Sequence, residues 1–205
     1  QAMAFHSLLG IEALRIYDVD PQATAKFRAN MAGRGMSICL AGNAADAVLG
    51  ADIITTVTAD KVKATILSDN MIGSGVHINA VGGDCPGKTE LASSILERAT
   101  VFVELPEQTR IEGEIQQMPA DFPVTELWRV ITGDAVGRRS REEITIFDPV
   151  GFAVEDFSAL RHIGELGARY DIVQDLDLIA APADPRDLFG LIAEQVDEPV
   201  LSQAI

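Results

Sequence analysis

The sequence predicts an α/β fold built on a doubly wound, mostly parallel sheet with helices on both faces, and three observations predict it. Short β-branched runs alternate with helical stretches along most of the chain. Apolar residues make up 47% of the 205, enough for a sizeable core. Strands separated by helices also require crossover connections, which favour parallel pairing.

The elements follow in order. Met3, Phe5, Leu8 and Leu9 recur at helical spacing over residues 1–9, and Gly10 stops them. Leu14–Val19 reads as a short strand that includes an acid, and Pro21 opens a helix running through Met31 to Gly33. Ser37–Leu40 is a second strand, followed by Asn43 as a cap for a helix to Leu49. Asp52–Thr58 and Val76–Val81 read as buried strands, the latter broken by Gly82-Gly83. Thr89–Ala99 fits a helix, Thr100–Glu104 and Glu143–Phe147 fit strands, and Val150–Leu166 fits an amphipathic helix. Beyond Tyr170 the chain turns acidic, with Pro182, Pro185 and Pro199 and a short helix expected over Pro185–Gln195. The expected organisation is a domain over 1–150 and a C-terminal helix with an acidic extension over 151–205.

Composition excludes several classes of function. With 16 Lys+Arg against 31 Asp+Glu the formal charge is −15, and no basic run interrupts it, which argues against nucleic-acid or anionic-membrane partners. No apolar run approaches the length of a membrane span, and residues 1–6 lack the features of a signal peptide. Two cysteines, Cys39 and Cys85, make no disulfide framework, so a reducing compartment and a cytoplasmic location are expected. His6, His77 and His162 show no metal-ligand spacing, so no metal site is expected.

In an open α/β sheet, ligands bind beyond the carboxyl ends of the strands, so the residues just after each strand carry the chemistry. Asp18 follows a strand, where a carboxylate can accept hydrogen bonds from both hydroxyls of an adenosine ribose and repel a 2′-phosphate, favouring NAD over NADP. Asp18 or Asp20 capping the next helix is an equally good reading. The G-x-G-x-x-G loop that should precede this unit in a dinucleotide fold is absent, because the chain opens at the helix position; Gly33-Arg34-Gly35 follows a helix, the wrong context. The chain therefore reads as a piece lacking its first strand and glycine loop. Thr58 ends a strand and can meet a flat cofactor, whereas Thr55 and Thr56 serve equally well as buried β-branched filling. The richest stretch is His77–Glu90, where two glycines, an acid, a Cys-Pro-Gly turn and a lysine follow a strand. Asp84 can take a proton from a water or an amine there, and Lys88 can meet anionic oxygens, although turn formation alone also accounts for the glycines and Asp84. Cys85 has no evident base partner, and Thr109–Glu114 reads as a solvated helix start.

These segments resemble the ornithine cyclodeaminase/mu-crystallin family. The resemblance rests on Leu14–Asp20 (LRIYDVD), Ala51–Lys61 (ADIITTVTADK), His77–Leu91 (HINAVGGDCPGKTEL), Thr109–Gln117 (TRIEGEIQQ) and Val124–Gly133 (VTELWRVITG), and covers roughly residues 1–165. Its Gly-Gly-Asp-Cys-Pro-Gly-Lys stretch is specific to the cyclodeaminase branch. The resemblance implies a Rossmann-like domain with tightly bound NAD, conversion of L-ornithine to L-proline with release of ammonia by internal hydride transfer and cyclisation, and a homodimer. It assigns Asp84 as the catalytic acid, Asp18 as the ribose contact, and Thr58, Ile78, Asn79, Ala80, Val81 and Lys88 as cofactor-lining residues. It also implies that the substrate-binding arginine, lysine and glutamate belong to an N-terminal segment not found here, so this piece alone is expected to show little turnover. Pro149 departs from a serine common in the family's cyclodeaminases. Relatives on the same scaffold include ketimine reductases, amino-acid dehydrogenases and non-catalytic mu-crystallin-like binders, which remain the alternatives.

Overall fold

The computed structural model describes residues 1–59, 64–174 and Arg186. The chain divides into two compact units, 1–155 and 156–205. The helix expected over Pro185–Gln195 lies outside the described residues.

Every strand pair in the first unit is parallel. Strand β1 (Ala13–Ile16) pairs with β2 (Ser37–Leu40), and a second sheet carries β3 (Ile53–Thr56), β4 (His77–Ala80), β5 (Thr100–Val103), β6 (Thr125–Glu126) and β7 (Thr145–Asp148) in the order β3-β4-β7-β5-β6. The single expected sheet is thus divided. Among the described residues no strand pairs with the free edges of β1 and β3, so no ladder joins the two sheets. Because the five strands of the larger sheet run in one direction, their carboxyl ends share one edge, and the segments following Thr56, Ala80, Val103 and Asp148 leave from it.

Local chemistry explains most of the helices. Helix α1 (Ala2–Leu9) ends at Gly10, whose φ of 69° suits the left-handed cap and whose N–H closes on His6. Helix α2 (Pro21–Asn30) begins with proline at a first-turn position, and the Asp20 carboxylate accepts the Gln22 N–H at 2.8 Å. Asn43 caps α3 (Ala44–Val48) through the Asp46 N–H. The helix expected over Thr89–Ala99 contracts to α4 (Ser93–Glu97). Leu91, Ile95 and Leu96 are all buried, which imitates helical spacing. Residues 90–92 instead run extended beside Ile66 and Leu67, with a parallel bridge between Leu67 and Leu91. Residues 105–132, where the sequence pattern predicts only a helix start at Thr109–Glu114, form α5 (Pro106–Glu112), a 3₁₀ turn (Glu114–Gln117), β6 and α6 (Leu127–Thr132). Helix α7 (Ala153–Arg169) starts three residues later than expected.

The core lies around the larger sheet. Ile54, Ile78, Ala80, Val101, Val103 and Ile146 pack with Leu67, Leu91, Ile95, Leu96 and Ile115. Helices α1 and α2 and strands β1 and β2 together contribute no residue to that cluster. Ile146 sits on the central strand with Ile78 and Val101 as its register partners, all three essentially inaccessible. Ile146→Ala is expected to cost about 2–5 kcal/mol in urea denaturation, since neighbours clamped by strands on both sides cannot collapse into the void. Ile131→Ala, at a residue 77% exposed, should change stability by less than about 0.5 kcal/mol.

Candidate functional site at the carboxyl edge of the sheet

The loop after β4 brings three of the expected residues together. The Lys88 side chain is 3% exposed and its Nζ donates to the Thr58 carbonyl at 2.8 Å and to Asp84 Oδ1 at 3.0 Å. Asp84 itself is 64% exposed, so the ion pair has a buried cation and an accessible anion. A buried ammonium needs such partners, because desolvation otherwise exceeds any gain from packing its stem. Asp84 therefore stands at the edge with one oxygen tethered and the carboxylate open to solvent.

Thr58 is fixed from a second side. Its N–H donates at 3.0 Å to Glu90 Oε1, and its hydroxyl donates to the same oxygen. Glu90 is 1% exposed, and its other oxygen has no hydrogen-bond partner among the described residues. A Cβ on Gly82 would overlap this carboxylate, so Gly82 is required by close approach. The glycine pair that looked like a turn signal accommodates buried acids: a Cβ on Gly83 would lie 3.2 Å from Glu114 Oε1.

Glu114 and Asp148 form the floor beneath this loop. Glu114 accepts the N–H groups of Glu90 (2.6 Å) and Leu91 (3.0 Å), while Asp148 accepts those of Glu114 (2.9 Å) and Ile115 (3.0 Å). Both side chains are inaccessible. Burial pushes Glu114 up to about 8 against its backbone hydrogen bonds, and pushes Asp148 up to about 7. Burial also raises Glu104, which accepts the Gly151 N–H at 2.6 Å. The expectation that Thr109–Glu114 is a solvated helix start is therefore corrected. Thr109 and Glu114 are fully buried, because the Leu105 carbonyl and backbone N–H groups satisfy their oxygens.

The remaining expected residues are dispersed. Asp18 follows β1 and is exposed; its Oδ1 accepts the Asp20 N–H at 2.8 Å, while the helix cap falls to Asp20. Arg15, on β1, is committed to the carbonyls of Asp46 and Leu49. Ile78 and Ala80 are enclosed by the core, so their side chains face away from any ligand. Asn79 and Val81 alternate with them and are partly accessible; Asn79 Oδ1 lies 3.3 Å from His77 Nε2, and the Val81 N–H is bonded to the Thr56 carbonyl. Pro149 directly follows Asp148 and supplies no N–H to this edge. Sequence reasoning missed Glu90, Glu114, Gln116 and Asp148. Of these only Glu114 adjoins a glycine in the sequence, Gly113, where a Cβ would stand 2.7 Å from Asp148 Oδ2; the other three carry no such local signal.

The parallel sheet, with an accessible carboxylate and a buried lysine at its carboxyl edge, places the chain in the doubly wound α/β class, whose ligands bind beyond the carboxyl ends of the strands. The chain belongs to the ornithine cyclodeaminase/mu-crystallin family, which it matches over residues 1–168. It is 60% identical over 192 residues to an ornithine cyclodeaminase of Brucella melitensis, covering 94% of this chain and 54% of that protein. Among solved structures it is similar to a lysine cyclodeaminase described with its recognition of L-lysine, L-ornithine and L-2,4-diaminobutyric acid, with a TM-score of 0.80, 34% identity and coverage of 93% of this chain and 56% of that one. It is also similar to an archaeal alanine dehydrogenase dimer with bound NAD, with a TM-score of 0.78, 30% identity and coverage of 87% and 57%. The chain spans about half the length of the relatives it matches. Among the described residues no helix is long and apolar enough to cross a membrane.

Two outcomes are expected. Gly82→Ala should destabilise the chain by about 1–3 kcal/mol, because the enclosed Glu90 cannot swing aside without releasing Thr58. Stability should also fall as pH rises from about 6.5 to about 8. Glu114 and Asp148 bind protons more tightly when folded, so their contribution is complete below the unfolded carboxylate values and is lost through about 7 and 8. His77, lowered mainly by burial, acts in the opposite sense only below its ordinary 6.5. Denaturation midpoints measured against pH test the sign, and Asp148→Asn should flatten the slope.

Proposed function

We propose that the protein is an NAD-dependent ornithine cyclodeaminase, a lyase forming L-proline and ammonia from L-ornithine, and that this chain supplies its dinucleotide-binding domain with the catalytic acid. The observation that carries the reading is Asp84, an accessible carboxylate held at the carboxyl edge by a buried lysine. The relatives supply the reaction class: a 60% identical protein bears that name, and a structural neighbour is described as recognising L-ornithine.

The donor set at the edge suits NAD. Asp18 presents an exposed carboxylate after β1 for ribose hydroxyls, and Arg15 is already bonded to carbonyls, leaving it unsuited to a 2′-phosphate. Val19 and Val57, 86% and 65% exposed, offer apolar surface after β1 and β3 for a flat ring. Thr58, Asn79, Val81 and Lys88, with the backbone of Ile78 and Ala80, would line the cofactor. Bound NAD supplies reversible hydride storage, and the net reaction leaves it unchanged. Asp84 holds the proton-transfer role: its free oxygen accepts a proton from the attacking amine or from a water, while Lys88, bonded to the other oxygen, fixes the carboxylate's direction.

A homodimer and a cytoplasmic location belong to the same reading. Helix α7 supports the first, since Phe157, Leu160 and Ile163 remain more than 60% exposed at near-helical spacing.

In the full-length protein, ornithine should yield proline and ammonia in equal amounts with no net NADH. Asp84→Asn should lower that rate by about 10²–10⁴-fold with NAD affinity within a few-fold of wild type. Stoichiometric NADH formation would instead make the protein an amino-acid dehydrogenase on the same scaffold. NAD binding without any product would make it a binder.

A further inference from the structure

The 3₁₀ turn Glu114–Gln117 has an unusual relation to the Asp84 loop: each of its polar side chains is bonded to residues 85–91. Glu114 takes the N–H groups of Glu90 and Leu91, and Gln117 Nε2 donates to the Leu91 carbonyl at 3.1 Å. Gln116 spans the Cys-Pro-Gly turn itself. Its Oε1 accepts the Gly87 N–H at 2.6 Å, and its Nε2 lies 2.9 Å from the Lys88 carbonyl and 3.3 Å from that of Cys85. The same nitrogen lies 3.0 Å and 2.8 Å from the carbonyls of Glu112 and Gly113, tying the amide back to its own turn. Ile115, the remaining residue, is 1% exposed and anchored in the core.

We propose that this turn is the mould of the Asp84 loop, with Gln116 a positioning residue that sets Asp84 and Lys88 at their working separation. The inference rests on the reading of Asp84 as the reacting carboxylate. Asp84 and Lys88 flank Cys85-Pro86-Gly87, and their ion pair closes only if that turn keeps its shape. The turn's own backbone closure is a single Lys88 N–H to Cys85 carbonyl bond of 3.2 Å, and Gly87 sits at φ 83°. Within the described residues the Asp84 carboxylate is bonded to Lys88 alone, so a shift of the turn passes directly to it. An amide is the group the position requires, because it accepts from Gly87 while donating to carbonyls on either side. Glutamate would aim a carboxylate at those carbonyls, and methionine would fill the volume with neither function.

The test compares the full-length wild type with Gln116→Met and Gln116→Glu. Both variants are expected to lower kcat for proline formation by about ten- to a hundredfold, the scale of a small misplacement of a reacting group. KM for ornithine, NAD affinity and the thermal midpoint should stay within about threefold or a few degrees of wild type, and amide hydrogen exchange at Gly87 should accelerate. Unchanged kcat alongside faster Gly87 exchange would overturn the positioning role, as would parallel losses of kcat, NAD affinity and thermal stability. Unchanged exchange at Gly87 would show that the clamp is not made. If the wild type forms no proline from ornithine, the proposed function fails separately, and Gly87 exchange alone then upholds or overturns the mould.

Discussion

Two carboxylates that each span a pair of consecutive backbone N–H groups hold the carboxyl edge of this sheet together. Asp148 leaves the central strand and captures the amides of Glu114 and Ile115; Glu114 in turn captures those of Glu90 and Leu91. Each link joins a segment distant in sequence to the next, so the loop bearing Asp84 is suspended from β7 through the 3₁₀ turn. Loops at strand ends ordinarily leave several amides to water. Here two such pairs are buried, and acids buried without other polar partners would be costly. The amides and the acids therefore satisfy one another, and removing either leaves the other stranded.

The same arrangement accounts for the electrostatics of the edge. Lys88 is nearly inaccessible yet keeps its charge partner at the surface, so the field of the buried ammonium acts on an exposed carboxylate. Behind them Glu90, Glu114 and Asp148 crowd together out of water, and burial favours the protonated forms of the last two. Glycines at 82, 83 and 113 give the carboxylates room.

Much of the fold was legible because its signals are local. Capping residues such as Asp20 and Asn43, Pro21 at a helix start and the β-branched runs of β3, β4 and β5 act within a few residues of themselves. The meeting of Asp84 and Lys88 was legible for the same reason, since four residues and one tight turn separate them. What could not be read were groups whose partners lie 20 to 35 residues away in the chain. Thr109–Glu114 looked solvated because two glutamates and an arginine in six residues usually are; the amides that dry out Glu114 come from the far side of β5. Residues 89–92 looked helical because burial of Leu91, Ile95 and Leu96 mimics a helical stripe, whereas Leu67 draws Leu91 into an extended bridge.

By itself the sequence determined an α/β chain of parallel strands, the family to which it belongs and the short motif that carries Asp84, because hydrophobic period, turn chemistry and a contiguous motif are properties of neighbouring residues. The tertiary structure alone decided which acids are buried, which glycines must stay small, and that Thr58, Lys88 and Asp84 form one bonded group. Those facts depend on where distant backbone amides and carbonyls come to rest, and desolvation, the force that makes each pairing matter, exists only once the core has closed around it.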